Sequence, residues 1–86
     1  MDADAELDCR GMMCPLPIIR LANNLPDVPV GGTLAVVADD PAARPDIAAW
    51  CRMRGQQLVS SMPHEAASSG KPATTYVVRH TPTDAG

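Results

Sequence analysis

Aromatic side chains are nearly absent from this chain: among 86 residues there is no Phe, one Trp and one Tyr. Large rings cannot dominate the interior, so a core has to be assembled from Leu, Ile, Val, Met and Ala. Cysteine is scarce as well. Cys9, Cys14 and Cys51 are an odd number and too few for a disulfide scaffold, so each is read individually, as thiols of a reducing compartment are. There is no basic excess: seven Lys and Arg against ten Asp and Glu give a formal net charge of −3, which argues against nucleic acid and anionic membrane as partners. No apolar run approaches the roughly 20 residues that span a bilayer. The opening Met1-Asp2-Ala3-Asp4-Ala5-Glu6 is acidic where a secretory signal is basic and then apolar. A cytoplasmic protein is expected. The length suits one domain, 1–86, with its core over about 5–80 and a flexible acidic leader and short tail at the ends.

Proline, by contrast, is plentiful, and it marks the stretch around which the chain is organised: Gly11-Met12-Met13-Cys14-Pro15-Leu16-Pro17. A residue before proline is pushed toward extended backbone, whereas proline itself is tolerated in the first helical turn, whose N–H groups lack intrahelical partners anyway. Cys14 is thus expected at the N-cap and Pro15 at the first helical position. Downstream, Ile18, Leu21, Ala22 and Leu25 recur at helical spacing, with Arg20, Asn23 and Asn24 opposite them, until Pro26 ends the pattern. A thiol at a helix N-terminus feels roughly half a positive charge, which lowers its pKa and favours the thiolate. Arg10 and Arg20 stand near enough in sequence to add to that effect, while Pro15 and Pro17 remove amide donors and moderate it.

The rest of the chain alternates strand and helix. Ala5 to Cys9 reads as a first strand with Leu7 and Cys9 on one face and Glu6 and Asp8 on the other, and Gly11 marks the loop after it. Pro26 to Gly32 is a connector dense in breakers. Thr33 to Ala38 is β-branched and almost wholly apolar, as an inner strand should be. Asp39-Asp40-Pro41 closes it, and Ile47, Trp50 and Cys51 trace a second helix from near Asp46 to Arg54, stopped by Gly55. Gln57 to Met62 is a third strand. A polar connection over Pro63 to Ala73 leads to a fourth at Thr74 to Arg79. The expected fold is a two-layer α/β (α+β) sandwich of order β-α-β-α-β-β: a four-stranded mixed sheet with two helices on one face. Helices between strands imply parallel neighbours, and the last two strands suit an antiparallel hairpin.

Among candidate sites, Cys14 stands out, because Ser, Thr, Asp and Asn cap helices better than cysteine and a purely structural cap would use one of them. Cys9 and Cys51 read as small packed core residues. The sharper reading of Cys9 is a resolving partner for Cys14 in a thiol-disulfide switch, which requires Cα atoms within about 7 Å. Asp39 and Asp40 suit turn or cap roles, Asp46 a helix start, and His64 and His80 solvated positions in the connection and near the tail. Neither the cysteine spacing nor the histidines have metal-ligand spacing, so no metal is expected, and no cofactor either. Met12 and Met13 supply soft apolar surface, as core or as a docking patch.

Taken together, Leu7-Asp8, Gly11, Cys14-Pro15-Leu16-Pro17, Gly31/Gly32, Leu34, Ala38-Asp39-Asp40-Pro41-Ala42, Asp46-Ile47, Cys51, Leu58-Val59 and Tyr76-Val77-Val78-Arg79 resemble the TusA (SirA-like) sulfur-carrier family over about Leu7 to Arg79. The resemblance implies that Cys14, in its Cys-Pro-x-Pro element, carries sulfane sulfur as a persulfide. Pro15, Pro17, Gly11 and Arg10 would shape the helix start and the thiolate environment. It also implies a protein donor, a cysteine desulfurase or a rhodanese, and a protein acceptor, in routes such as tRNA thiolation, molybdenum cofactor biosynthesis or oxidative sulfur metabolism. Met12-Met13 departs from the more usual Leu followed by a polar or basic residue, and the Pro63 to Ala73 connection is long. A thiol-disulfide switch of Cys9 and Cys14, and a non-catalytic interaction module, are the alternatives.

Overall fold

The computed structural model describes residues 3–13, 15–64 and 72–82. Strand β1 (Ala5–Asp8) leads through the glycine loop into helix α1 (Leu16–Asn24) and a short 3₁₀ segment, Leu25–Asp27. Strand β2 (Thr33–Ala38), helix α2 (Ala43–Arg54), strand β3 (Gln57–His64) and strand β4 (Ala73–Arg79) follow. The sheet order is β1-β2-β4-β3. Only the β1/β2 pair is parallel, with Leu7 opposite Val36, while β4 runs antiparallel to both β2 and β3. The expectation of parallel neighbours therefore holds for the first crossover and needs correction for the second: β3 follows α2 but does not lie beside β2, because β4 inserts between them. The mixed sheet and the two helices are as expected.

Alternation along the central strands decides which side is covered. Leu34, Val36 and Ala38 of β2 and Tyr76 and Val78 of β4 join Leu7, Leu21, Ile47 and Cys51 in one buried cluster, so both helices pack against the same face. Leu21, Leu34, Val36, Ile47 and Val78 are almost wholly removed from water. Each contributes on the order of 1.5–3 kcal/mol by the usual transfer scale. The one Tyr belongs to this cluster, and the one Trp, Trp50, packs partly buried at its edge beneath Arg54. On the other face, Ala35 and Val37 are also buried, between Glu6 and Asp8 on one side and Val77 and Thr75 on the other.

Several boundaries move, each for a local reason. Helix α1 starts at Leu16 rather than Pro15, because the Pro15 carbonyl accepts the first helical bond, from Ile19 N–H at 3.0 Å; the cap position expected for Cys14 is thus taken by Pro15, one residue later. Helix α2 starts at Ala43, three residues before Asp46. Pro45 falls in its first turn, where a missing N–H is harmless. Ala42 is the cap residue, and Asp40 makes the turn that leads into the helix, its side chain accepting Ala42 N–H at 3.1 Å and its carbonyl accepting Ala43 N–H at 2.9 Å. Strand β1 ends at Asp8, although Cys9 N–H still donates to Val37 O at 2.7 Å.

The histidine expectations are also corrected. His64 is not in a loop: β3 continues to it opposite Ala73, and its ring Nδ1 meets Thr75 Oγ1 at 3.1 Å. Pro63 is accommodated because β3 is an edge strand. His80 is likewise held, its N–H donating to Gly32 O at 2.9 Å and its carbonyl accepting Gly31 N–H at 2.7 Å. The polar connection is thus shorter than Pro63 to Ala73, and residues 65–71 within it lie outside the described residues.

Candidate functional site

The loop between β1 and α1 is built by a sequence of short-range bonds. Cys9 N–H extends the pairing with β2, and Met12 N–H returns to Cys9 O at 3.1 Å, closing a turn over Cys9–Met12. Gly11 is the third residue of that turn with φ +84°, and among the described residues no non-glycine has positive φ. This is the signature of a type II turn, which requires the left-handed conformation at that one position. The Gly11 N–H then points at the carboxylate of Asp39, 3.0 and 3.1 Å from its two oxygens. A residue just after β2, 28 positions away in sequence, thereby anchors the loop.

Arg10 is occupied. Its guanidinium makes two bonds to the Asp8 carboxylate, Nε to Oδ1 at 2.9 Å and Nη2 to Oδ2 at 2.8 Å, and its backbone N–H adds a third at 3.1 Å. The Arg10 bonds hold the Asp8 carboxyl well below the usual carboxylate range. In return, Asp8 raises the guanidinium's pKa further. Much of the positive charge that the sequence offers to a thiolate is thus engaged by a neighbouring anion.

Cys14 itself lies outside the described residues, whereas both of its flanks lie within them. On one side Met13 is 73% exposed; on the other Leu16 is 49% and Ile19 46% exposed, so apolar side chains at three-residue spacing face solvent around the thiol position. Leu16 N–H donates to Met13 O at 2.8 Å, which ties the two flanks together. Pro15 is solvent-facing, whereas Pro17 is buried and seats the first turn of α1 against the core. Met12 packs against the core cluster, so the two methionines divide the roles open to them: one interior, one exposed.

The other two thiols are free and buried. Cys9 has no exposed surface, and burial pushes its pKa up. Cys51 is 3% exposed, and burial pushes its pKa to about 11. Both are held as neutral thiols at physiological pH, which suits packing and not nucleophilic chemistry. Among the described residues, no group of three or more His, Cys, Asp or Glu is disposed to hold a metal ion, and no helix is long and apolar enough to cross a membrane.

The sequence reading missed the Asp39–Gly11 contact. It gave the Asp39-Asp40-Pro41 segment turn or cap duties, of which Asp40 takes the turn, while the cap position of α2 falls to Ala42; nothing in the local pattern separates the two adjacent carboxylates. The only available signal was that the Asp-Asp pair belongs to the same set of residues as Gly11 in the family resemblance.

Fold and loop define a small two-layer α+β protein with a cysteine-bearing turn between its first strand and first helix. The family model for sulfurtransferase TusA matches residues 5–68, and the chain belongs to that family. Among its relatives, a sulfur carrier protein TusA from Pseudomonas syringae pv. syringae is 42% identical over 65 residues, covering 76% of this chain and 77% of that protein. Another from Pseudomonas paraeruginosa is 45% identical over 56 residues, covering 65% and 71%. A solved SirA-like protein from Desulfitobacterium hafniense superposes with a TM-score of 0.63 at 24% identity, covering 86% of this chain and 95% of its own. That likeness concerns the fold.

Proposed function

We propose that this protein is a sulfur carrier that takes up sulfane sulfur as a persulfide on Cys14 and passes it to a second protein. The observation that carries the reading is the fate of the other thiols: Cys9 and Cys51 are core-packed and held protonated, which leaves Cys14 as the cysteine fitted to react. The relatives named as sulfur carriers support it. In loading, the Cys14 thiolate attacks the outer sulfur of a donor persulfide; an S–S bond forms at Cys14 as the donor's S–S bond breaks and its thiolate leaves. In unloading, an acceptor thiolate attacks the outer sulfur and the Cys14 thiolate departs. A low pKa at Cys14 favours the second step and keeps the nucleophile ionised for the first. Neither displacement passes through a tetrahedral oxyanion, so no oxyanion hole is needed.

Within this reading the exposed Met13, Leu16 and Ile19 meet the apolar surface of donor and acceptor proteins, and the donor is of the cysteine desulfurase or rhodanese type. A reducing cytoplasm is the natural compartment, since an oxidising one would consume the persulfide. The burial of Cys9 argues against the disulfide switch, in which Cys9 would have to reach Cys14 as a ready nucleophile.

The test is non-reducing intact and peptide mass spectrometry after incubation with a cysteine desulfurase plus cysteine, or a rhodanese plus thiosulfate. The expected result is one added sulfur on the Cys14 peptide, removed by reductant, retained in Cys9→Ser and absent in Cys14→Ser. Failure of both donors to load the protein, with ready formation of a Cys9–Cys14 disulfide instead, would overturn the carrier reading.

A further inference from the structure

We propose that Asp39 is a positioning residue for the Cys14 reaction, acting through its hydrogen bond to Gly11; the inference rests on the carrier reading above. The bond is one of two long-range ties of the thiol loop's backbone. The turn over Cys9–Met12 is closed by its own bond, and Arg10 is tied to Asp8 two residues away, so these local contacts set the loop's shape but not its position against the sheet. Cys9 N–H to Val37 O holds the loop's first residue to β2. The Asp39 carboxylate, receiving Gly11 N–H through both oxygens, holds the third. Two attachments on one strand end fix the direction in which the chain leaves toward Cys14, three residues on.

The placement of Asp39 suits that role. It follows the last residue of β2, the most buried strand of the sheet, so its backbone is held by the core. Asp40, its neighbour, is committed to the turn into α2. The two carboxylates of the Asp-Asp pair thus have different partners: one makes the turn into α2, the other aligns the loop. A sulfur-to-sulfur displacement depends on the approach of the attacking thiolate along the S–S axis, and small losses of alignment reduce rate.

Asparagine and alanine at position 39 remove the same charge, but only alanine removes the acceptor, so their ratio isolates the hydrogen bond from any effect of the carboxylate's charge on the thiol. We expect Asp39→Ala to load sulfur from a cysteine desulfurase about tenfold more slowly than Asp39→Asn, the size of one net hydrogen bond to an anchored acceptor. Asp39→Ala should also melt several degrees below Asp39→Asn, as the loss of one hydrogen bond implies in a domain of this size, so loading is compared at a temperature where both are fully folded. Amide hydrogen exchange should show Gly11 protected in the wild type and in Asp39→Asn, and unprotected in Asp39→Ala. Equal loading by the two variants, with Gly11 protection lost only in alanine, would overturn the proposal. If Asp39→Ala does not fold, Asp39→Leu, which also lacks an acceptor and keeps the branched shape of the aspartate, takes its place in the same comparison. If the wild type accepts no sulfur at all, the carrier reading fails separately. Iodoacetamide alkylation of Cys14 then still decides the positioning claim, with equal rates in the asparagine and alanine variants refuting it.

Discussion

Replacing Gly11 by alanine probes the loop with a perturbation whose size is set by backbone conformation alone. At φ +84° an L-residue is strained, yet a Cβ added there would meet no atom within 4 Å, so no steric clash adds to that strain. Left-handed backbone costs an L-residue roughly 1–2 kcal/mol. The substitution also reduces the freedom of the unfolded chain, which returns about 0.4–1 kcal/mol. The net loss is therefore about 1 kcal/mol. The loop has one escape, to relax and release Asp39, but giving up that bond costs a comparable amount. For a domain of this size, about 1 kcal/mol lowers the thermal midpoint by roughly 4–8 °C. Urea denaturation followed by circular dichroism measures it directly, and Gly11→Asn, which tolerates positive φ better, should fall between alanine and the wild type. A loss above about 3 kcal/mol would mean that space at Gly11 is closed, and no loss would mean that the positive φ is not required; either result refutes the turn assignment.

Two further outcomes follow from burial and exposure. Cys51 is buried as a neutral thiol with its pKa raised from 9.0 to about 11. Above pH 9 the unfolded chain sheds this proton while the folded chain keeps it, so stability present below pH 9 is lost as pH rises to 11, by about 3 kcal/mol at most. Urea midpoints at pH 8 to 11 should show a steeper decline in the wild type than in Cys51→Ala, and parallel curves would contradict the assignment. Ile19→Lys, at a solvent-facing position outside the core, should change stability by less than about 0.5 kcal/mol. It should raise the donor concentration needed for half-maximal sulfur loading without altering Cys14 alkylation, and unchanged donor dependence would remove Ile19 from the docking surface.

Much of this protein is determined locally. From Leu34 to Ala38 the chain is wholly apolar, and with Thr33 it forms the expected inner strand, because such a run has no stable place except between covered neighbours. Leu21, Ile47 and Cys51 occupy the buried stripes that helical spacing assigns them. Gly11 sits at a turn for the same kind of reason: one residue's freedom at positive φ is a property of that residue. Three things were decided only in three dimensions. Strand order depends on which edge accepts β4, and β4 carries the same propensity wherever it pairs, so its place between β2 and β3 is invisible to periodicity. The lengthening of β3 through Pro63 to His64 follows from pairing with β4 rather than from the propensity of its residues. Above all, the tie from Asp39 to Gly11 joins residues 28 apart, and the two adjacent aspartates look alike until the parallel pairing of β1 with β2 brings one of them within hydrogen-bond reach of Gly11. Residue chemistry marks Cys14 as the thiol to watch; the sheet determines what holds its loop in place.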